Sequence, residues 1–413
     1  MRLGLLSQWF DPETGPAALP GIYAREFLRQ GHQVRVLTGH PNYPDGRLYP
    51  GYRLRARARE RRDGVDVRRV ALYPDHGRSG WRRFANYASF AAASSVLGAG
   101  ALRGADALWV YNSPITVAAP LLLHSRAGRT PYFLHVQDLW PDSLVNSGMF
   151  SVRGRAANRV IRLIDQIAAF TERRAGAVGV ISPSVKELIL ARHPAVDPDR
   201  VHLVRNPTDE ELFRPRAPDA ELEKSPWRAP FTLMYVGAIG AVQGFDTVLE
   251  AARILRSRGD IRFVLIGDGI DRPRLERRVA EQRLDNVTLL GRIAKAEVGR
   301  YMASSDAQLV TLGADEFLRF TTPSKIATIL ASGLPVIGQI AGDGAELIRD
   351  AGAGLCAAPG DASQLAAVVC SMADLPAEVR LRMGQDGRRY YASHLSAASA
   401  ARSITAALSA VTV

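Results

Sequence analysis

The sequence predicts an α/β protein made of two doubly wound parallel-sheet domains facing across a cleft. Three observations lead there. Short apolar runs alternate with helical patterns along almost the whole chain, the rhythm of βα units whose strands are buried on both faces. The rhythm breaks once, at the turn Val204-Arg205-Asn206-Pro207-Thr208-Asp209 and the proline- and charge-rich stretch 214–230, and then restarts. The chain's 413 residues suit two or three domains of ordinary size. The expected domains are residues 1–205 and 206–395, with a helical tail, 396–413, packing back on the first.

Taken in order, residues 3–6 form an apolar run that reaches Asp11 too soon for a secretory leader, so they read as a buried strand. Residues 16–30 have helical spacing, closed by Gly31. Further strands are expected over 34–38, 107–111, 132–136 and 177–181, with helices over 84–102, 115–127 and 157–173. After the break, strands over 231–236, 263–266, 287–290, 307–310 and 335–340 alternate with helices over 245–258, 275–282 and 296–303 and with one launched at Pro323. That last helix has the best-marked ends. Thr322 is placed to cap it, Pro323 suits its first position and Gly333 ends it.

Hydrophobic residues make up 47% of the chain and charged residues 23%, as in soluble globular proteins. A net charge of +12 favours an anionic partner: nucleic acid, an acidic membrane surface or a phosphorylated small molecule. No groove-reading motif accompanies the charge, so nucleic acid is set aside. Cys356 and Cys370 make neither a metal-ligand set nor a disulfide framework, and no stretch is apolar enough to span a bilayer. A reduced, cytoplasmic setting is expected.

Ligands of doubly wound sheets bind at the carboxyl ends of strands, where loops enter helices. The second half offers Gly237-Ala238-Ile239-Gly240, Gly267-Asp268-Gly269, Gly291-Arg292-Ile293 and Thr322-Pro323-Ser324-Lys325. The first half offers Pro12-Glu13-Thr14-Gly15-Pro16. The amides of Ser324 and Lys325 lack intrahelical partners at the positive end of a helix dipole, and the Lys325 ammonium adds a full charge. Such a turn suits a phosphate or diphosphate. An ordinary capped helix with a solvated lysine is the alternative on these residues alone.

Asp138 follows the strand 132–136, where a carboxylate can orient a hydroxyl or accept its proton, or else cap a turn. Gln137 and Trp140 beside it suit a sugar, whose hydroxyls bind amides and whose C–H edges pack on an indole. His135 reads equally as a base or as a buried structural residue. Trp81, Phe84, Tyr87 and Phe90 recur at i, i+3 beside Arg82 and Arg83, and arginines stand at 53, 55, 57, 59, 61 and 62. These point to peripheral contact with an anionic membrane, with a core helix and solvated charge as alternatives.

The motifs Gly31-His32-Gln33-Val34-Arg35-Val36-Leu37-Thr38, Pro41-Asn42-Tyr43-Pro44-Asp45-Gly46 and Val136-Gln137-Asp138-Leu139-Trp140-Pro141-Asp142 stand in the first half. Tyr235-Val236-Gly237-Ala238-Ile239-Gly240, Leu265-Ile266-Gly267-Asp268-Gly269, Pro323-Ser324-Lys325, Ala331-Ser332-Gly333-Leu334-Pro335-Val336 and Ala358-Pro359-Gly360-Asp361 stand in the second. In this order and at these separations the chain resembles the GT-B glycosyltransferases of family 4, in particular the fucosamine-transferase-like branch of colanic-acid and O-antigen type.

The resemblance implies two Rossmann-like domains and retaining transfer of a sugar from a nucleoside-diphosphate donor, with a UDP-sugar favoured. The donor would lie on the C-terminal domain. A saccharide or polyprenyl-diphosphate-linked acceptor would lie on the N-terminal one. It implies surface-polysaccharide synthesis, in the cytoplasm or peripherally at the inner face of the membrane, with no cofactor and no metal. Within that frame Asp138 and Lys325 are the expected catalytic residues. Gly15, Gly240, Ser324, Lys325 and Arg319 are expected at the diphosphate, Gly267, Arg292, Ile293 and Glu346 at the nucleoside, and Gln137 and Trp140 at the acceptor.

The chain departs from the commonest family pattern at three places. Ala238 replaces an arginine, Gln243 replaces a lysine, and Phe320 and Thr328 fall where two glutamates are usual. An epimerase or hydrolase of the same fold, or a sugar-nucleotide-binding subunit without catalysis, are the alternatives. A dinucleotide-dependent dehydrogenase is disfavoured, because no Gly-x-Gly-x-x-Gly follows the first strand.

Overall fold

A computed structural model of the chain describes residues 1–77, 79–125, 129–142 and 155–412. It divides into two compact units, Met1–Arg205 with Ala397–Val413, and Asn206–Ser396.

The strands of the first unit are β1 (Arg2–Leu6), β2 (Gln33–Gly39), β3 (Arg57–Arg62), β4 (Val65–Val70), β5 (Ala107–Asn112), β6 (Tyr132–Val136), β7 (Ala177–Val180) and β8 (Val201–Leu203). Its helices include α1 (Leu19–Arg29), α2 (Gly80–Val96), α3 (Ala118–His124), α4 (Arg155–Arg174) and α5 (Pro183–Arg192), followed much later by a return helix, Ala397–Val411. The sheet runs β3-β4-β2-β1-β5-β6-β7-β8. Its neighbours pair in parallel except for the antiparallel pair β3–β4.

Side chains alternate across the strands, so each strand feeds two apolar layers. Leu3, Leu5, Val34, Val36, Trp109 and Phe133 share one layer with Tyr23 and Phe27 of α1. The return helix completes that layer with Ala400, Ala401, Ile404 and Leu408. Leu6, Leu37, Leu108, Val110, Leu134 and Val178 form the other layer with Phe90, Leu121, Val185 and Ile189. Each large aliphatic side chain so buried stabilises the fold by about 1.5–3 kcal/mol relative to an exposed one.

The β3–β4 hairpin has no counterpart among the expectations. The arginine-rich run reads as solvated charge, yet exposed Arg57, Arg59 and Arg61 alternate with half-buried Ala58, Glu60 and Arg62. Charges on a strand at a sheet margin also deter edge-to-edge pairing. The turn, Asp63-Gly64, has positive φ at both residues (48° and 85°), the Asp-Gly signal of a two-residue hairpin.

The second unit contains β9 (Phe231–Val236), β10 (Ile261–Ile266), β11 (Val287–Gly291), β12 (Ala307–Thr311), β13 (Val336–Gln339) and β14 (Gly354–Ala357). Its helices are α6 (Phe245–Ile254), α7 (Arg272–Glu281), α8 (Val298–Ala303), α9 (Ser324–Ser332), α10 (Asp343–Asp350), α11 (Ala362–Asp374) and α12 (Ala377–His394). Six parallel strands run β11-β10-β9-β12-β13-β14. Leu233, Tyr235, Phe263, Leu265 and Leu309 pack with α6, α7 and α11 through Phe245, Val248, Leu275, Leu365 and Val369. Val310 and Val336 lie in the opposite layer with Ile326 and Leu330 of α9.

Strand order reverses between β1 and β5 in one sheet and between β9 and β12 in the other, which opens a crevice at each switch point.

Three expected helices differ in detail. Pro323, not Thr322, occupies the N-cap of α9, so the helix begins one residue later, at Ser324. The helix expected over 84–102 is α2, shifted towards the N-terminus, and the aromatics at i, i+3 do not share one environment. Trp81 is 71% and Phe84 42% exposed, while Phe90 is fully buried. The helix expected over 115–127 is a 3-10 turn, Ile115–Val117, followed by α3, and residues 126 and 127 lie outside those described. Among the described residues no helix is long and apolar enough to cross a membrane.

Candidate active site

In the second unit the β9/β12 switch point gathers the end of β9, the loop 237–240 and the start of α9. Pro323 caps with no side-chain hydrogen bond, so nothing on the cap competes for the first amides of α9. Ser324 is exposed there. Lys325 is half-buried. Its Nζ donates to the Tyr235 hydroxyl and lies 4.0 Å from the centre of that ring. Burial pulls the lysine down to about 8. A Cβ at Gly237 would run into the Lys325 side chain.

The neighbouring glycines serve the loops themselves. A Cβ on Gly267 would strike the Gly237 carbonyl, and one on Gly269 the Ile239 carbonyl. The Gly237 amide donates to Ile266 and the Ile239 amide to Asp268, at 2.9 Å each. The two loops are therefore packed backbone on backbone. Gly240 donates its amide to Oε1 of Gln243 at 3.0 Å, so the residue standing where family members have lysine braces this turn. The guanidinium of Arg319 is largely exposed, 3.8 Å from Glu316, while its carbonyl packs against Gly342. Arg292 is 80% exposed and 3.8 Å from Asp268. Ile293 packs beside Met234, Val264 and Ile266, and Glu346 is exposed in the first turn of α10.

In the first unit the β1/β5 switch point carries Asp138. It is half-buried just beyond β6, and its carboxylate accepts the Ser113 hydroxyl. Burial raises its carboxyl above the usual range, and the Ser113 bond works against that. Burial raises the phenols of Tyr43, Tyr87 and Tyr111, and the nearby Asp138 carboxylate adds to each shift. Trp9 joins these rings, with centroids 5.7 Å from Tyr43, 6.5 Å from Tyr87 and 6.4 Å from Tyr111, and His76 lies 5.2 Å from Tyr43. Trp9 and Tyr111 are buried, so Tyr43 and Tyr87, both half-buried, are the rings of this cluster that a sugar can reach.

Trp140 follows two residues on. It is 9% exposed, packs against Ile115 and Ala168, and its carbonyl accepts from Arg192 at 3.3 Å. Gln137 is half-buried beside Asp138. Gly15 is exposed at φ 65°, and a methyl added to it would come no nearer than 4.0 Å to Tyr43. His135 is fully buried, donates its Nε2–H to the Val204 carbonyl at 3.1 Å, and is held down to about 4 by burial. That is the structural reading of this histidine.

Two residues carry more of the site than their sequence context suggests. Glu13, 3% exposed, accepts from the amides of Phe10 at 3.0 Å and of Asn42 and Tyr43 at 2.8 Å each, joining the loops after β1 and β2. Burial pushes it up to about 7 against those amides and the nearby Arg69. Tyr235 is the other, and its signal is weak because a tyrosine in a strand is ordinarily core. Among the described residues no group of three or more His, Cys, Asp or Glu is gathered to hold a metal ion.

Two family models match the chain. The one described as glycosyl transferase 4-like domain matches residues 14–207, and the one described as glycosyl transferases group 1 matches residues 230–374. WcaI of Escherichia coli K12, described as a colanic acid biosynthesis glycosyl transferase, is 27% identical over 341 residues, spanning 78% of this chain and 79% of its own. A GDP-mannose-dependent alpha-mannosyltransferase of Mycolicibacterium smegmatis is 25% identical over 374 residues, spanning 86% of this chain and 84% of its own. Anabaena Alr3699/HepE, solved with UDP and glucose, superposes with a TM-score of 0.67 at 17% identity over 99% of both chains, a likeness of fold.

Proposed function

Since this chain belongs to the GT-B glycosyltransferases, joining a glycosyl transferase 4-like domain to a group 1 domain, we propose that it builds a surface polysaccharide by retaining transfer from a nucleoside-diphosphate sugar. The acceptor is a saccharide or a lipid-linked saccharide. The observation that carries this reading is Lys325, whose ammonium is fixed where α9 begins, beside the loop 237–240.

In the transfer the bond from the anomeric carbon to the diphosphate breaks, and the acceptor oxygen bonds to the same face of that carbon. The acceptor proton goes to the departing phosphate oxygen, so no protein nucleophile is used. The charge developing on the diphosphate is met by the Ser324 and Lys325 amides, the helix dipole and the ammonium, without a metal. Gly240 and Arg319, and Gly15 of the first unit, are assigned to the diphosphate as well. Gly267, Arg292, Ile293 and Glu346 frame the nucleoside. UDP is the favoured base carrier, with GDP the competitor, since the relatives differ on this point.

On the first unit, Asp138 orients the acceptor hydroxyl. Gln137 binds beside it, and the half-buried rings of Tyr43 and Tyr87, together with Trp140, supply the sugar-packing surface. Exposed Trp81 and Phe84 with Arg82 support peripheral contact of this unit with an anionic membrane.

Thermal shift tests the donor reading. UDP at about 100 times its Kd stabilises the native state by about 2.7 kcal/mol. Lys325→Ala weakens that shift and lowers kcat by about 100-fold or more. If neither UDP nor GDP moves the wild-type Tm, the donor site is wrong.

A further inference from the structure

We propose that Tyr235 is a positioning residue for the transfer: its hydroxyl anchors the Lys325 ammonium beside the loop 237–240, so the cation is in place before the diphosphate departs. This rests on the reading of Lys325 given above.

The geometry supports an anchor rather than a packing neighbour. Tyr235 is fully buried near the end of β9 and meets Phe245 edge-on, with centroids 4.9 Å apart. Its hydroxyl donates to the Ala238 carbonyl at 2.6 Å. The single phenolic proton is thus committed, and the oxygen is left to accept. An ammonium has only protons to give, and Lys325 donates to that oxygen. The face of the same ring, 4.0 Å from Nζ, adds cation–π attraction. Gly237 leaves the space through which the lysine chain runs.

The chain of contacts is directional: Lys325 gives to Tyr235, and Tyr235 gives to Ala238. It ties the first turn of α9 to the loop after β9, two segments 90 residues apart in sequence. A free lysine side chain loses rotamer freedom when fixed, and prior fixation spares the reaction that cost. The need is specific to this chain. Ala238 and Gln243 bring no charge to the loop, and the Gln243 side chain is engaged with Gly240. The ammonium keeps further protons for a phosphate oxygen.

Tyr235→Phe keeps the ring and its packing and removes the anchor. The expected result is a kcat reduced about 10- to 100-fold with the donor KM little changed, because the loss falls on the transition state. The pH profile supplies a readout that packing alone would not move. Activity needs the protonated amine and falls as pH rises through the folded lysine's range. Without the accepting oxygen the charged form is less favoured, so the basic limb moves to lower pH by about one unit. Gly237→Ala, which pushes the lysine chain aside and leaves Tyr235 intact, is expected to lower kcat in the same way. Lys325→Ala with wild-type kcat would sink the donor reading itself. An inactive Lys325→Ala alongside Tyr235→Phe at wild-type kcat, with an unmoved basic limb, would overturn the anchor alone.

Discussion

The Ser113 hydroxyl donates to the Asp138 carboxylate, joining the loop after β5 to the loop after β6. This bond favours the ionised carboxyl against burial, which raises its pKa. Ser113→Ala removes the opposing effect, so the folded carboxyl rises further. If ionised Asp138 orients the acceptor, the acid limb of kcat/KM moves to higher pH in this variant, and Asp138→Asn loses most of its turnover at every pH. A pH–rate profile of the two proteins checks both. An unmoved limb with an active Asp138→Asn would remove Asp138 from the site.

His193 lies between α4 and α5, 2.6 Å from Glu172 and 3.4 Å from Asp165, and its pKa is raised, chiefly by the hydrogen bond to Glu172. A raised histidine pKa means that the native state holds the proton more tightly than the unfolded chain does. The stabilisation is fully present below the unfolded value near 6.5 and is lost as pH rises through the folded value. Glu172→Gln is therefore expected to cost about 1.5–3 kcal/mol below that range and much less above it. Urea unfolding of wild type and variant at about pH 6 and pH 9 measures the difference. Equal costs at both would show that the charge on His193 contributes nothing.

Gly267→Ala tests the loop pair of the donor side. Gly267 has φ 147°, and an added methyl would meet the Gly237 carbonyl. Strained backbone and forced separation of two packed loops predict a loss of about 2–4 kcal/mol together with weaker nucleotide binding. Calorimetric melting with and without UDP reads both. A variant with wild-type Tm and Kd would mean that the loops accommodate a side chain.

The exposed rings of α2 predict lipid dependence. The double variant Trp81→Ala, Phe84→Ala is expected to lose binding to vesicles containing about one-third anionic lipid, with activity on a water-soluble acceptor unchanged. Cosedimentation measures it. Undiminished binding would assign the contact to other residues or to none.

The fold was legible wherever local chemistry and tertiary context agree. The apolar runs at 231–236 and 132–136 are strands because parallel strands bury both faces, and Gly333 ends α9 in the left-handed conformation it alone adopts cheaply, at φ 70°. The β3–β4 hairpin was obscured because arginine dominates its composition, although Asp63-Gly64 announces the turn. For the site, the helix start at Ser324 and Lys325 stands out in one dimension, since it depends on neighbours in sequence. Tyr235 does not, because its partner is 90 residues away. Glu13 is likewise silent: a glutamate in a proline-rich turn looks solvated until Asn42 and Tyr43 enclose it. Trp140, two residues beyond Asp138, packs its ring with Ile115 and Ala168, a contact that neighbours in sequence do not reveal.

The helix Ala397–Val411 has a bearing on how the polypeptide is made. It supplies Ala400, Ala401, Ile404 and Leu408 to a layer whose other members come from the first 204 residues. During translation the leading unit must wait, with that surface uncovered, while the ribosome threads out the entire trailing one. A fragment ending near residue 205 would inherit the same bare patch permanently and is expected to precipitate. Grafting residues 397–411 behind it through a flexible spacer offers a route to an isolated, crystallisable half.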